Sequence, residues 1–223
     1  MGRAAILKGM YDALLSELGP SAWWPGETPF EIAVGAILTQ NTNWKNVERA
    51  IANLKQANAL TPAGLRAVPL ERLEDLIRPS GHFRIKSKRL TEFLEFLEQE
   101  SCTRIEDLGS QSLENLRPKL LEVRGIGPET ADSILLYALG KPTFVVDAYT
   151  VRLLGRHGLI PEQTHYHEVQ EIFLSALPED VALYNEYHAL IVRAAKQWCA
   201  KSRPKCALCT LRPFLPNPEA LPE

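Results

Sequence analysis

The sequence lacks most of the features that assign a chain to a class at a glance. No apolar run approaches the roughly 18–20 residues that a membrane helix needs, so a helical span is excluded. The N-terminus, Met1-Gly2-Arg3-Ala4-Ala5-Ile6-Leu7-Lys8, meets charge too early for a secretory signal, and a cytoplasmic protein is expected. There is no large excess of charge. A net charge of −2 argues against a protein that coats nucleic acid without selectivity. Internal repeats and low-complexity segments are absent, and strand-like runs nearly so. Phe144-Val145-Val146 is the one such run and is too short to build a sheet.

What is present is helical periodicity. Ile6, Met10, Leu14 and Leu18 recur at helical spacing, and Gly19-Pro20 ends the segment. Helices are expected over 30–38, 43–54, 70–77, 86–97, 113–123, 129–139, 147–156, 166–177 and 181–199, each bounded by Gly, Pro or a capping residue. Ser21-Ala22-Trp23-Trp24-Pro25-Gly26 reads as a rigid loop, and the proline-rich tail after Pro213 as extended chain. Short connections between many helices imply a compact all-α protein.

Charge is local. No Asp or Glu occurs from Tyr187 to Pro218, where Arg193, Lys196, Lys201, Arg203, Lys205 and Arg212 all fall. A second basic cluster is Arg84, Lys86, Lys88 and Arg89. Two such patches suit contact with a few phosphates, or else are solvated faces. The four cysteines, Cys102, Cys199, Cys206 and Cys209, point in a cytosolic chain to a metal or cluster rather than disulfides.

The most informative segment runs Leu120-Leu121-Glu122-Val123-Arg124-Gly125-Ile126-Gly127-Pro128-Glu129-Thr130-Ala131-Asp132. One helix stops at the first glycine, and another starts within a few residues with Pro128 in its first turn. The glycines allow positive φ and leave the backbone uncovered. Amides of the turn and of the new helix's first turn are then free for an anion, and a DNA phosphate is the natural partner. Arg124, Gly125, Ile126, Gly127 and Thr130 are the candidate backbone contacts. A plain helix–helix turn is the bland alternative.

About 20 residues on comes Val145-Val146-Asp147-Ala148-Tyr149-Thr150-Val151-Arg152. This hairpin, this Val-Asp and the later cysteines follow the order of the endonuclease III-like helix-hairpin-helix (HhH-GPD) glycosylases, which the chain resembles over most of its length. The resemblance implies a six-helix barrel over 26–138. A second, discontinuous helical domain is implied over 1–25 and 139–223, with a DNA-binding cleft between the two. It also implies double-stranded DNA carrying a damaged base as partner, and a monomer. Such enzymes must first take the base out of the stack. Asp147 is the implied catalytic group, able to stabilise positive charge on the sugar or to activate a water. As the residue that opens a helix it also reads as an N-cap, and the two roles are compatible.

The sequence departs from endonuclease III at one telling place. That enzyme carries a lysine in the hairpin's second helix, which attacks the sugar and permits strand cleavage. Glu129 takes its place here, and a carboxylate cannot form an imine. The nearest lysines, Lys119 and Lys141, lie outside the motif. Leu38-Thr39-Gln40-Asn41-Thr42-Asn43-Trp44, with Trp23-Trp24 before it and Arg78-Pro79-Ser80-Gly81-His82-Phe83 after it, resembles the 3-methyladenine glycosylases of the endonuclease III type. The implied substrates are alkylated purines. They are electron-poor and leave readily, and stacking and cation–π attraction of roughly 0.5–2 kcal/mol per contact would hold them. Trp23, Trp24, Trp44 and Glu129 are the candidate pocket residues, with core packing as the alternative for the tryptophans. Gln40 and Asn41 are candidates to fill the gap left by the flipped base. Oxidised pyrimidines with weak or absent lyase activity form a second reading, and a DNA-binding module without catalysis a third.

Cys199-x6-Cys206-x2-Cys209 matches the first three positions of the family's iron–sulfur loop and encloses the basic residues Lys201, Arg203 and Lys205. The fourth position is Leu215. A 4Fe–4S cluster with three cysteine ligands is implied, although such clusters normally take four. His188 lies 11 residues before Cys199 on one helix, roughly 16 Å away at 1.5 Å per residue. A carboxylate such as Glu219, a solvent molecule or an open iron remains for the fourth position. Zinc, or no metal, are the competing readings.

Overall fold

The computed structural model describes residues 2–21, 26–161 and 163–219. Helices dominate and no strand occurs among these residues, so the fold is all-α. Among the described residues no helix is long and apolar enough to cross a membrane. The chain divides into two compact units. One is Trp24–Lys141, and the other combines Met1–Trp23 with Pro142–Glu223.

The central unit holds α2 (Pro29–Thr39), α3 (Trp44–Gln56), α4 (Pro62–Ala67), α5 (Leu70–Ile77), α6 (Phe83–Gln99), α7 (Leu113–Glu122) and α8 (Pro128–Ser133). A π-helical segment, Ile134–Ala138, continues α8. Starts are set by side-chain caps. Thr28, Asn43, Thr61 and Ser112 each accept a hydrogen bond from a first-turn amide, and each such cap is worth about 1 kcal/mol. Helix α2 is buried along nearly its whole length, as its unbroken apolar sequence requires. Ile37, Leu38, Leu54, Phe93, Leu116, Leu120, Ile134 and Leu135 close a single core around it.

The terminal unit holds α1 (Arg3–Leu18), α9 (Ala148–Arg156), α10 (Tyr166–Leu174) and α11 (Val181–Gln197). Leu7, Met10 and Leu14 of α1 are buried as their spacing implies. The Tyr187 hydroxyl donates to the Leu7 carbonyl at 2.8 Å. Phe144 stacks on Phe173 at 3.8 Å between ring centroids. The strand-like Phe144-Val145-Val146 run is buried irregular chain. Its polar backbone is satisfied by side chains, as burial demands. Gln170 Nε2 donates to the Phe144 carbonyl at 2.7 Å, and the Val146 N–H to the Tyr166 hydroxyl at 3.3 Å.

Two parts of the basic-patch expectation are corrected. Lys86 is not a surface cation. It is 1% exposed, and its ammonium donates to the Leu38 and Ser80 carbonyls at 2.8 and 2.7 Å. Arg193 caps the C-terminal end of α1, donating to the carbonyls of Leu18 and Gly19 and to the Ser21 hydroxyl. Carbonyls left over at helix ends attract cations, which is why these two turn inward.

Candidate active site and nucleic-acid interface

Chemistry-bearing residues occur in both units. In the central unit the hairpin has α7 and α8 as its arms. The turn is closed by the Ile126 N–H donating to the Val123 carbonyl at 3.0 Å. Ile126 is 4% exposed and anchors the turn in the core, while Arg124, Gly125 and Gly127 are exposed. Gly125 has φ +91°, and a Cβ there would fall 2.5 Å from Arg89 Cγ. Both geometry and space therefore demand glycine. Gly127 stands at the N-cap of α8, where no side chain caps the helix. The arms are clamped by Arg117 of α7, which meets the fully buried Asp132 of α8 with both Nε and Nη2, at 2.8 and 2.9 Å.

Gln40, expected at a DNA gap, is joined to this hairpin. Its Nε2 donates to the Gly125 carbonyl at 3.0 Å and to the Thr130 hydroxyl at 2.9 Å. Its Oε1 accepts from the Arg89 guanidinium. Thr130 is buried in this network rather than displayed at the surface. Asn41 is exposed, with φ +54°. Trp44 opens α3 half-buried, and its ring lies against Gly35 of α2. Glu129 is exposed in the first turn of α8. Trp23 and Trp24 lie outside the described residues.

The two lysines nearest the hairpin in sequence are held elsewhere. Lys119 Nζ meets Glu100 Oε2 at 2.6 Å, and Lys141 Nζ donates to the Gly109 and Gln111 carbonyls at 2.7 and 2.6 Å.

In the terminal unit, buried Val145 and Val146 lead into Asp147, the N-cap of α9. Asp147 Oδ1 accepts from the Thr150 N–H at 2.8 Å and from the Thr150 hydroxyl at 2.9 Å. Its Oδ2 lies 3.6 Å from His188 Nε2 on α11, and the Asp147 side chain is only 13% exposed. Burial on its own raises the Asp147 pKa, but His188 and the two Thr150 donors outweigh it and hold the carboxyl below 3.8. The group is a carboxylate at neutral pH. His188 as its neighbour was not foreseen. The only trace in the sequence is a polar residue on the buried face of α11.

The cysteine loop follows α11. Cys199, Cys206 and Cys209 line one pocket together with Arg156, His157, Trp198 and Leu215. Arg156 Nη1 donates to Cys199 Sγ at 3.0 Å, and the same guanidinium holds the Ala200 and Lys201 carbonyls. Among the described residues no three His, Cys, Asp or Glu side chains converge to hold a single metal ion. Three thiols facing one pocket fit three corners of a cluster, whose ligands are spread over several irons rather than gathered at one point. The fourth corner expected from spacing is Leu215, which has no donor. Lys201, Arg203 and Lys205 are exposed on the loop.

An uncapped glycine hairpin in an all-α chain, with a buried carboxylate at the head of a later helix, defines a helix-hairpin-helix protein equipped for chemistry on DNA. The model of the HhH-GPD superfamily of base excision DNA repair proteins matches residues 34–179, and the chain belongs to that superfamily as a DNA glycosylase. A Methanocaldococcus jannaschii chain, provisionally named a DNA repair glycosylase, is 46% identical over 207 residues, covering 92% of this chain and 93% of its own. Endonuclease III of Thermotoga maritima is 31% identical over 184 residues, covering 82% and 81%. The solved 3-methyladenine DNA glycosylase of H. pylori, bound to 1,N6-ethenoadenine, superposes with a TM-score of 0.74 at 30% identity. That match covers 88% of this chain and 98% of the other.

Proposed function

We propose that the protein is a monofunctional glycosylase that hydrolyses the N-glycosidic bond of alkylated purines in double-stranded DNA. The observation that carries this reading is the state of Asp147, and the residue at position 129 supports it. Asp147 is buried, ionised and oriented by Thr150 and His188, while Glu129 stands where a lyase needs its amine. As the base departs, positive charge builds on the sugar. The Asp147 carboxylate stabilises that charge and accepts a proton from the attacking water. Such proton transfer contributes roughly 10²–10⁴-fold to rate. The cap fixes Oδ1 and leaves Oδ2 to work, with His188 holding its orientation.

Strand cleavage through an imine needs a free amine. Lys119 and Lys141 are engaged elsewhere, and Lys86 is buried with its ammonium on two carbonyls. The choice of alkylated purines is supported by the H. pylori relative's name and its bound ethenoadenine. It is supported also by Trp44, and by Trp23 and Trp24 in sequence, as aromatic faces for an electron-poor base. The hairpin backbone at Arg124–Gly127 grips a phosphate, and Lys201, Arg203 and Lys205 add charge that salt will screen. Gln40 supports the turn through Gly125 and Thr130. Entering the DNA would require it to leave those bonds, so Asn41 is the better candidate for the gap. A 4Fe–4S cluster on Cys199, Cys206 and Cys209, when bound, cross-links and orders the basic loop.

Duplexes containing 3-methyladenine, thymine glycol or an abasic site separate the readings. Base release from the first, with strand breaks only after alkali, supports the proposal. Release from the second favours an oxidised-pyrimidine enzyme. Borohydride trapping at the abasic site overturns the monofunctional assignment. Binding without release, unaffected by Asp147→Asn, points to a module that has lost catalysis.

A further inference from the structure

Arg89 of α6 is half-buried against the hairpin turn. Its side chain occupies the space where a Cβ of residue 125 would stand. A Cβ there would fall 2.5 Å from Arg89 Cγ, 2.7 Å from Nε and 2.8 Å from Cδ. The side chain is therefore laid along the bare face of Gly125, with Arg124 and Gly127 exposed on either side. Gln40 fixes its direction. A carbonyl can only accept, so the Gln40 group on the Gly125 carbonyl must be the amide nitrogen. That nitrogen uses its two N–H groups on Gly125 and on the Thr130 hydroxyl, at 3.0 and 2.9 Å. Oε1 is then obliged to face a donor, and Arg89 Nη1 supplies it. Thr130 is 6% exposed, so this run of bonds starts in the core and ends on a cation.

A guanidinium has five N–H donors. Among the described residues the Gln40 oxygen is the one acceptor that Arg89 meets, and no carboxylate pairs with it. Asp132, the buried acid of α8, belongs to Arg117. The charges nearby are of the same sign. Burial, and after it the Arg89 charge, lowers the Lys86 pKa to about 8. Arg124 and Lys88 are exposed. A cation held in one direction, with donors to spare and like charges around it, suits an anion.

We infer that Arg89 holds a backbone phosphate of duplex DNA beside the hairpin turn, and that Gln40 is the positioning residue that aims it rather than a side chain that enters the gap. This rests on the reading of the hairpin as the DNA grip. The planar fork of arginine suits two oxygens of one phosphate. The bond to Gln40 removes rotamer freedom that binding would otherwise cost.

The test titrates the full-length chain and three variants with an undamaged duplex and with the same duplex carrying a stable abasic analogue. Binding is followed by fluorescence anisotropy over a range of salt, and thermal unfolding of each protein is recorded. Arg89→Met keeps an apolar stem over Gly125 and removes the charge. Its plot of log affinity against log salt is expected to be shallower by about 0.9, the share of one phosphate. Its affinity at low salt is expected to fall roughly ten-fold on both duplexes. Arg89→Lys is expected to keep the natural slope while binding more weakly, because the charge stays and the fork is lost. Gln40→Ala leaves the charge unaimed, and is expected to weaken both duplexes equally without changing the slope. Arg89→Met with the natural slope overturns the inference, and with a lowered melting temperature it marks Arg89 as a brace only. A Gln40→Ala loss confined to the abasic duplex also overturns it and returns Gln40 to the gap. No duplex binding by the natural chain at any salt overturns the DNA reading of the hairpin as well. Base release is scored separately, so that failure of the glycosylase reading stays distinguishable.

Discussion

Replacing Arg117 with leucine is expected to destabilise the central unit by about 3–5 kcal/mol, the usual cost of removing one partner from a buried ion pair. The magnitude follows from burial. Asp132 is 0% exposed and accepts two bonds from the guanidinium, at 2.8 and 2.9 Å. In a chain of this length each kcal/mol moves the melting temperature by roughly 2–4 °C, so a fall of about 6–20 °C is expected. Urea unfolding followed by circular dichroism supplies the free energy. The double variant Arg117→Leu/Asp132→Leu removes both charges and is expected to recover most of the loss, because an apolar pair of similar volume is often as stable as a buried ion pair. Because the pair clamps the two arms of the hairpin, the single variant is also expected to bind duplex DNA more weakly. A loss below about 1 kcal/mol, or a double variant no better than the single, refutes the claim that this pair holds the hairpin.

Three further outcomes follow from the geometry. Gly125→Ala forces a Cβ onto a residue at φ +91° and 2.5 Å from Arg89 Cγ. About 1–2 kcal/mol of strain and reduced affinity in a salt titration of DNA binding are expected. Asp147 has a folded pKa below its ordinary 3.8, so its contribution to stability is full above that value and is lost as pH falls through the folded one. Asp147→Asn, which preserves a cap, is expected to differ from the parent in acid unfolding above about pH 4 and to converge with it at lower pH. Burial lowers Lys86 to about 8 from 10.5. Between those values the unfolded chain binds more protons, so stability rises with pH there relative to Lys86→Met, measurable by denaturation at pH 8 and 10.

The elements the sequence announced are those governed by local rules. Thr28, Asn43, Ser112 and Asp147 cap where short polar residues precede apolar periodicity. The Gly-x-Gly turn was legible because only glycine tolerates Gly125's φ. Helix α4, Pro62–Ala67, was missed because six residues are too few to display a period. The second hairpin helix reads as one segment to Leu139 but passes into a π-helical turn at Ile134, which periodicity does not reveal. The Asp147–His188 contact, the Gln40–Gly125–Thr130 network and His157 beside the cysteines join residues distant along the chain, so no spacing rule reaches them. Lys86 and Arg193 misled for a related reason. A basic residue in sequence is a charge, and only the fold says whether it faces water or the carbonyls at a helix end.

Hydrolysis through Asp147 without strand cleavage is tested most directly by single-turnover release of 3-methyladenine from a duplex, comparing the natural chain with Asp147→Asn before and after alkali. The account predicts release by the natural chain, strands that stay intact until alkali is added, and a rate at least about 100-fold lower in the variant. Equal rates in the two proteins, or strand breaks before alkali, would contradict it.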